Sequence, residues 1–246
     1  MNVLVLGDGK LGSEIVKQTG WDYISRKKDG FDITNNKDIT DILLEIHHGV
    51  IVTKKYDIVV NCIANTDTYS ADKEVMYKVN YEAVTILSDV CNAYKIKLVH
   101  ISTDYVYAGS VNNATEEDMP VPSNNWYTYY KLLADEYVSL TNDNHLICRC
   151  SFKSKPFEFK YAWYNQIGNF DYVDTITSLI VKLIKGDAQG IYNVGTEIKT
   201  ILDLAKQTKP ETQPSQKPEY APGNISMNIN KLHTFLNEDS SNNTKP

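Results

Sequence analysis

Cysteine is scarce in this chain, four in 246 residues, and no two stand at the spacing of a zinc site or a disulfide framework. Cys62 and Cys148 fall in apolar, strand-like runs, Cys150 follows on the same strand face and Cys91 lies in a helical stretch, so all four read as buried reduced thiols. The five histidines show no ligand spacing, and no metal site is expected. His47-His48, just ahead of Gly49, reads as a cation or cap at a helix end. Long apolar runs are missing as well: none approaches the ~20 residues of a membrane helix, and the first one is too short for a secretion signal. The chain is therefore expected in the cytoplasm. Nor is positive charge in excess, since 25 Lys and Arg against 31 Asp and Glu leave −6, which argues against nucleic acid or an anionic membrane as the main partner. There is no internal repeat.

What is present is a phenol beside an ammonium. Tyr127-Thr-Tyr-Tyr-Lys131 spaces Tyr and Lys i, i+4, on one face of a helix, where the lysine charge lowers the phenol pKa from about 10 toward neutrality. A phenolic proton then becomes usable at physiological pH. Upstream, Ile101-Ser-Thr-Asp-Tyr-Val-Tyr107 sets Thr103 at the end of a strand, where its hydroxyl can hold a carbonyl oxygen for a hydride to meet. Tyr is common here, 17 residues, and the Tyr-x-x-x-Lys spacing gains weight only from a dinucleotide signal elsewhere.

That signal stands at the beginning of the chain. Val3-Leu-Val-Leu6 reads as a buried parallel strand and runs into Gly7-Asp-Gly-Lys-Leu-Gly12, after which Ser13 to Gln18 reads as helix. This is G-x-G-x-x-G between strand and helix: the glycines allow a tight turn and close approach of backbone to a pyrophosphate, and the helix start offers free N–H groups. A second strand, Tyr23-Ile-Ser25, leads into Arg26-Lys-Lys28, where an NAD-selective site would place an acid. Cations there favour a 2′-phosphate, with Arg26 the best gripping group.

Strands and helices alternate along the rest. Asn36 to Glu45 is spaced as helix, Tyr56 to Ala64 as strand, Lys73 to Tyr94 as one long helix, Lys97 to Thr103 as strand, Tyr127 to about Leu140 as helix and His145 to Cys150 as strand. Such alternation implies an α/β, Rossmann-like doubly wound parallel sheet, with ligands bound beyond the carboxyl ends of its strands. Beyond Cys150 the pattern weakens, with a helix at Tyr172 to Ile184, a strand at Gly190 to Val194 and a helix at Thr200 to Gln207. The expected division is a dinucleotide domain over 1–150, a small C-terminal substrate-binding region over 151–236 interleaved with that core, and a disordered polar tail over 237–246.

These residues converge on a family. The Gly7 loop, Asp32-Ile33, Val60-Asn-Cys-Ile-Ala-Asn-Thr66, Val79-Asn80, Ser102-Thr-Asp-Tyr-Val-Tyr107, Tyr127 to Glu136, Arg149, Gln166 to Asp174 and Met227 to Leu232 carry the likeness. On them the chain resembles the extended short-chain dehydrogenases/reductases, and among these the dTDP-4-dehydrorhamnose reductases, which reduce a 4-keto-6-deoxy sugar nucleotide. The resemblance implies NADPH as cofactor, with NADH possible, a sugar-nucleotide substrate, and a possible homodimer. It implies Thr103, Tyr127 and Lys131 as catalytic groups, Tyr127 donating the proton and Lys131 also bonding the nicotinamide ribose. Cofactor contacts are implied at Gly7, Gly9, Lys10, Leu11, Gly12, Ser25, Arg26, Lys27, Asp32, Ile33, Cys62, Ile63, Ala64, Thr66, Asn80, Tyr127, Lys131 and Cys150. Of these, Asp32-Ile33 would meet adenine, Ala64 and Thr66 the phosphates and ribose, and Asn80 would brace the sheet. Thr66, Thr68, Asp104, Tyr105 and Tyr107 are the implied substrate contacts.

The chain departs from the family pattern at three places. Its glycine loop is one residue shorter than usual. Only sixteen residues, Lys153 to Gly168, stand where the family spends many more on a substrate cap. Tyr105 occupies the position at which bifunctional epimerase–reductases carry a proton-moving Cys, so a reductase without built-in epimerisation is expected. Two other classes fit the same scaffold: a non-catalytic regulatory NADP-binding subunit, and an NAD-dependent sugar-nucleotide epimerase or dehydratase, against which Arg26-Lys27-Lys28 speaks.

Overall fold

A computed structural model describes residues 1–47 and 50–242. Its first half holds β1 (Val3–Leu6), α1 (Lys10–Thr19), β2 (Asp22–Ile24), α2 (Arg26–Asp29), α3 (Asn36–Leu43), β3 (Leu44–His47), β4 (Val50–Lys54) and β5 (Ile58–Asn61). Then come α4 (Lys73–Tyr77), a π-helical turn over Lys78–Glu82, α5 (Ala83–Ala93), β6 (Lys97–Thr103), α6 (Trp126–Thr141) and β7 (His145–Cys150). The remainder is short strands β8 (Phe152–Lys153), β9 (Tyr161–Trp163), β10 (Ile167–Gly168) and β11 (Asp171–Tyr172), then α7 (Val173–Lys185) and β12 (Gly190–Val194). It closes with β13 (Lys199–Thr200), α8 (Ile201–Thr208), β14 (Gln213–Ser215), β15 (Asn224–Ile225) and α9 (Asn230–Asn242).

A six-stranded sheet has the order β12-β7-β6-β5-β1-β2, and the pairs β1–β2, β1–β5 and β5–β6 are parallel. This is the doubly wound, Rossmann-like order expected from the βα alternation. β1 and β5 are buried at every position, β1 as an unbroken Val/Leu run and β5 as Ile-Val-Val closed by buried Asn61, as strands covered on both faces must be.

The chain divides into two compact units, Met1–Ile101 with Asn125–Ile147, and Ser102–Asn124 with Cys148–Pro246. The segment after β6 belongs with the C-terminal unit, so the two units alternate along the chain. The reason is a set of polar ties within that unit. Ala114 bridges Met227, and the amide of buried Asn193 donates from Nδ2 to the carbonyls of Ala114, 3.0 Å, and Asn228, 3.1 Å. Arg149, almost wholly buried, donates to the Tyr107 hydroxyl at 2.6 Å. An apolar cluster around Phe157, Phe170, Tyr172 and Leu204 forms part of this unit's core.

Several local expectations need correction. The helix expected over Asn36 to Glu45 stops at Leu43, and the chain enters an antiparallel pair of strands, β3 with β4. His47 consequently ends a strand instead of a helix, while His48 and Gly49 lie outside the described residues. The stretch Lys73 to Tyr94 is helical but interrupted by the π turn, whose extra residue shifts the helix phase at Asn80. The polar end also differs: α9 runs to Asn242 because its Leu232 is fully buried and its Phe235 ring packs edge-on against Tyr192, 5.7 Å between centroids. Residues 243–246 lie outside the described part.

Asn193→Ala removes the ties to Ala114 and Asn228; the Ala114 carbonyl keeps the Asn228 N–H, while the Asn228 carbonyl loses the Asn193 donor. Urea unfolding should show a loss of about 1–3 kcal/mol, against a change near zero for an exposed site such as Asn36→Ala.

Candidate functional site

The passage from β1 into α1 is set by its glycines. Gly7 has φ +96°, a left-handed conformation that only glycine adopts without strain, and its N–H donates to the Ile24 carbonyl at 2.8 Å, tying the turn to β2. A Cβ on Gly12 would lie 2.0 Å from the Gly7 carbonyl oxygen, so only glycine lets α1 come this close to the strand end. At Gly9, by contrast, a Cβ would meet nothing within 4 Å; this glycine faces open space.

That space is a pocket of about 380 Å³ lined by Gly7, Asp8, Gly9, Arg26, Phe31, Asp32, Ile33, Cys62, Ile63, Ala64, Asn65, Val75 and Val79. The structure brings eight of the expected cofactor residues together here: Gly7, Gly9, Arg26, Asp32, Ile33, Cys62, Ile63 and Ala64. Five others went unforeseen: Asp8, Phe31, Asn65, Val75 and Val79. The apolar ones among them gave no local signal beyond helical or core spacing. Arg26 donates to the Asp32 carboxylate at the rim. Hydrogen bonds from the Thr34 hydroxyl and N–H, with Arg26, hold Asp32 below the usual carboxylate range against the effect of burial. Ser25 caps α2 and donates to Asp8 Oδ2 at 3.0 Å, so it shapes the wall from behind.

Other expected cofactor residues do not line this pocket. Lys10 and Lys27 are exposed beside it, Leu11 and Gly12 are buried beneath the turn, and Thr66 is exposed in the loop after β5, its carbonyl accepting from the N–H of half-buried Thr68. Asn80 is buried; its Oδ1 accepts from Asn65 N at 2.8 Å and its Nδ2 donates to Asn65 O at 2.9 Å. It pins the loop carrying Ala64 and Asn65, a bracing part, and the π turn is what aims it there.

In the same unit α6 carries Tyr127, half-buried, and Lys131, 1% exposed. Asn125 caps the helix, its Oδ1 accepting from Thr128 N at 2.8 Å, which fixes where the first turn starts and hence where Tyr127 stands. The Lys131 ammonium donates to the Ile101 carbonyl at 2.6 Å and to His100 Nε2 at 3.0 Å, both on β6. Asp135, one turn further along α6 and fully buried, has Oδ1 at 3.8 Å from His100 Nε2. Burial and, second, the Lys131 charge keep His100 well below an ordinary imidazole pKa, so the ring is neutral. Burial pushes the Cys62 thiol up to about 12 against the pull of the same ammonium, which places Lys131 within electrostatic reach of a pocket-lining residue. His100 and Asp135 were not foreseen; the i, i+4 step from Lys131 to Asp135 was legible, the approach of His100 was not.

The second unit holds Thr103, Asp104, Tyr105, Tyr107 and Cys150. Thr103 closes β6; its Oγ1 accepts from Tyr105 N at 3.3 Å and donates to Asp104 Oδ1 at 3.4 Å. Asp104 is fully buried, which pushes its carboxyl up to about 7, and its Oδ2 has no hydrogen-bond partner among the described residues. The Tyr105 hydroxyl accepts from Gln166 Nε2 at 3.3 Å. Tyr107, at 2% exposure with its hydroxyl on Arg149, is a core brace. Cys150 is buried, its thiol 4.0 Å from the Ser102 carbonyl.

A parallel sheet whose first strand turns through glycines into a helix, beside a pocket walled by the ends of β1 and β5, defines an α/β protein of the Rossmann-like class. The chain belongs to the family described as RmlD substrate binding domain, which matches residues 1–155. It is similar to a probable low-salt glycan biosynthesis reductase, Agl14, of Haloferax volcanii, 35% identical over 124 residues covering 49% of this chain and 38% of that protein. It is also similar to dTDP-4-dehydrorhamnose reductase of Mycobacterium tuberculosis, 32% identical over 117 residues, 46% of this chain and 35% of that one. The chain thus spans well under half the length of these two relatives. The crystal structure of dTDP-4-dehydrorhamnose reductase from Bacillus anthracis in complex with NADP shares the fold, TM-score 0.79 at 23% identity over 95% of this chain and 93% of that one. The likeness read from the motifs is thereby borne out. Among the described residues no helix is long and apolar enough to cross a membrane, and no cluster of side chains suits a metal ion.

Two substitutions separate the structural glycine from the binding one. Gly12→Ala forces its Cβ into the Gly7 carbonyl and should cost roughly 2 kcal/mol or more in denaturant unfolding. Gly9→Ala should leave the unfolding midpoint unchanged and weaken dinucleotide binding in a calorimetric titration.

Proposed function

We propose that this protein is an NADPH-dependent reductase of a 4-keto-6-deoxy sugar nucleotide. One observation carries the reading: a buried lysine ammonium, anchored to the end of β6 four residues after Tyr127, stands in the same unit as a glycine cradle open to a pocket. Similarity to the reductases of Haloferax and Mycobacterium and to an NADP-bound neighbour supports it.

The residues present fit a dinucleotide. Gly9 leaves room for a pyrophosphate where any side chain would intrude, Phe31, Ile33, Val75 and Val79 give apolar surface for adenine, and Arg26 stands at the rim for a 2′-phosphate. NADPH would supply a hydride equivalent to the keto carbon. Tyr127 gives the developing alkoxide its proton, and Lys131 favours ionisation of that phenol by its charge. Thr103 holds the carbonyl oxygen through its hydroxyl. Tyr105 contacts the sugar, with Thr66 and Thr68 as further contacts; Asp104 and Tyr107 are left out because both side chains are buried, at 0% and 2% exposure.

Incubation with NADPH and a panel of 4-keto-6-deoxy sugar nucleotides, followed by the near-ultraviolet absorbance of NADPH, tests the reading. Tight NADPH binding without oxidation by any of them would move the chain to the non-catalytic class. Tyr127→Phe should lower kcat at least ~100-fold, the order expected for removal of a general acid, while NADPH affinity stays within about threefold. Arg26→Ala should weaken NADPH roughly tenfold to a hundredfold, the ~1.5–3 kcal/mol of hydrogen bonds to a charged group, with NADH nearly unaffected; equal losses for both would remove Arg26 from the 2′-phosphate.

A further inference from the structure

The environment of Lys131 is more elaborate than a lysine that only points at a ribose requires. Its ammonium is taken from water, which costs several kcal/mol unless acceptors replace the lost hydration. Ile101 O supplies one at 2.6 Å and His100 Nε2 a second at 3.0 Å. Asp135, also fully buried, brings a carboxylate to 3.8 Å from the same imidazole nitrogen, too far for a hydrogen bond but close enough to balance the charge. His100 is reached from no solvent at all.

We propose that His100 is a positioning residue for Lys131: its Nε2 accepts from the ammonium and, with Asp135 beside it, holds that ammonium charged and fixed at the end of β6. The inference rests on the reductase reading for its consequence, since the purpose of a fixed ammonium is to act on Tyr127. Of the donors on Nζ, one goes to the Ile101 carbonyl and one to His100, so two acceptors fixed on one strand set where the ammonium stands.

Tautomer follows from the geometry. Because Lys131 donates, the Nε2 lone pair faces it and the ring proton sits on Nδ1, so the imidazole acts as a pure acceptor toward the lysine. An imidazolium would set two cations 3.0 Å apart and break the bond. Tyr127, Lys131 and Asp135 of α6 and the neutral thiol of Cys62, just after β5, are titratable groups that bear on this cluster.

The test uses His100→Gln and His100→Asn. Glutamine sets its carbonyl oxygen near the place of Nε2 and restores an acceptor; asparagine keeps the polarity and falls short. In ligand-free protein with 15N-labelled lysine, the Nζ resonance missing from Lys131→Met is assigned and titrated. The titration midpoint of Lys131 should match wild type in His100→Gln and fall by about one unit in His100→Asn, since the charged form has lost an acceptor. In turnover, kcat of the Asn variant should fall about tenfold and its alkaline limb move to higher pH, because a less firmly charged lysine lowers the phenol pKa less. The Gln variant should keep both within about threefold. Equal Lys131 midpoints in the two variants would overturn the proposal, as would a Gln variant as impaired as Asn. A wild-type protein without NADPH oxidation would sink the reductase reading alone, because the nitrogen titration needs no substrate.

Discussion

A lysine charge at 1% exposure on the inner face of α6 constrains much of what surrounds it. An ammonium without water must find acceptors, and a helix offers none to its own side chains at that point. Two of its acceptors, the Ile101 carbonyl and His100, lie on β6, so α6 has to dock against that strand in one register. Asn125 begins the helix where that register needs it, and on the far side Tyr77, Tyr81, Trp126 and Tyr130 pack ring against ring, with Tyr137 bonded to Asp89 of α5. A helix held on both faces presents Tyr127 at a fixed place in its first turn.

The glycine turn imposes the complementary constraint on the backbone. Gly12 packs directly on the Gly7 carbonyl, bringing the start of α1 against the end of β1, and the neighbouring ends of β1 and β5 become the rim of one pocket. Asn80 then locks the loop after β5 by bonding both polar atoms of Asn65. Rigid backbone around a cleft keeps the ordering cost of binding a long, flexible dinucleotide low.

The C-terminal unit is built differently, from short strands and polar ties in place of long apolar runs. The buried Arg149–Tyr107 pair and the Asn193 amide do the joining, and Asn169 adds a bond from Nδ2 to Thr196 O at 2.8 Å and accepts from Met227 N at 2.7 Å. Where few residues stand between Arg149 and Gly168, such ties replace the packing a larger cap would supply. They also make the segment after β6 part of this unit, although it follows the first in sequence.

The amino-acid sequence determined whatever depends on near neighbours along the chain. The glycines between β1 and α1 follow from a turn only glycine can make, the parallel sheet from apolar runs alternating with helical spacing, and the Tyr127–Lys131 pairing from the 3.6-residue turn. Tertiary structure decided what distant segments do when they meet. His100 reads locally as one polar residue in a strand and becomes a lysine ligand only when α6 lies on β6. Phe31, Val75 and Val79 become pocket walls only when three separate segments close on the glycine turn. Asn80 aims at its loop because a π turn, invisible in the hydrophobic spacing, rotates the helix at that point. The division is physical: periodicity reports which face of an element is apolar, while the partner of a buried polar atom is fixed by the packing of elements far apart in sequence.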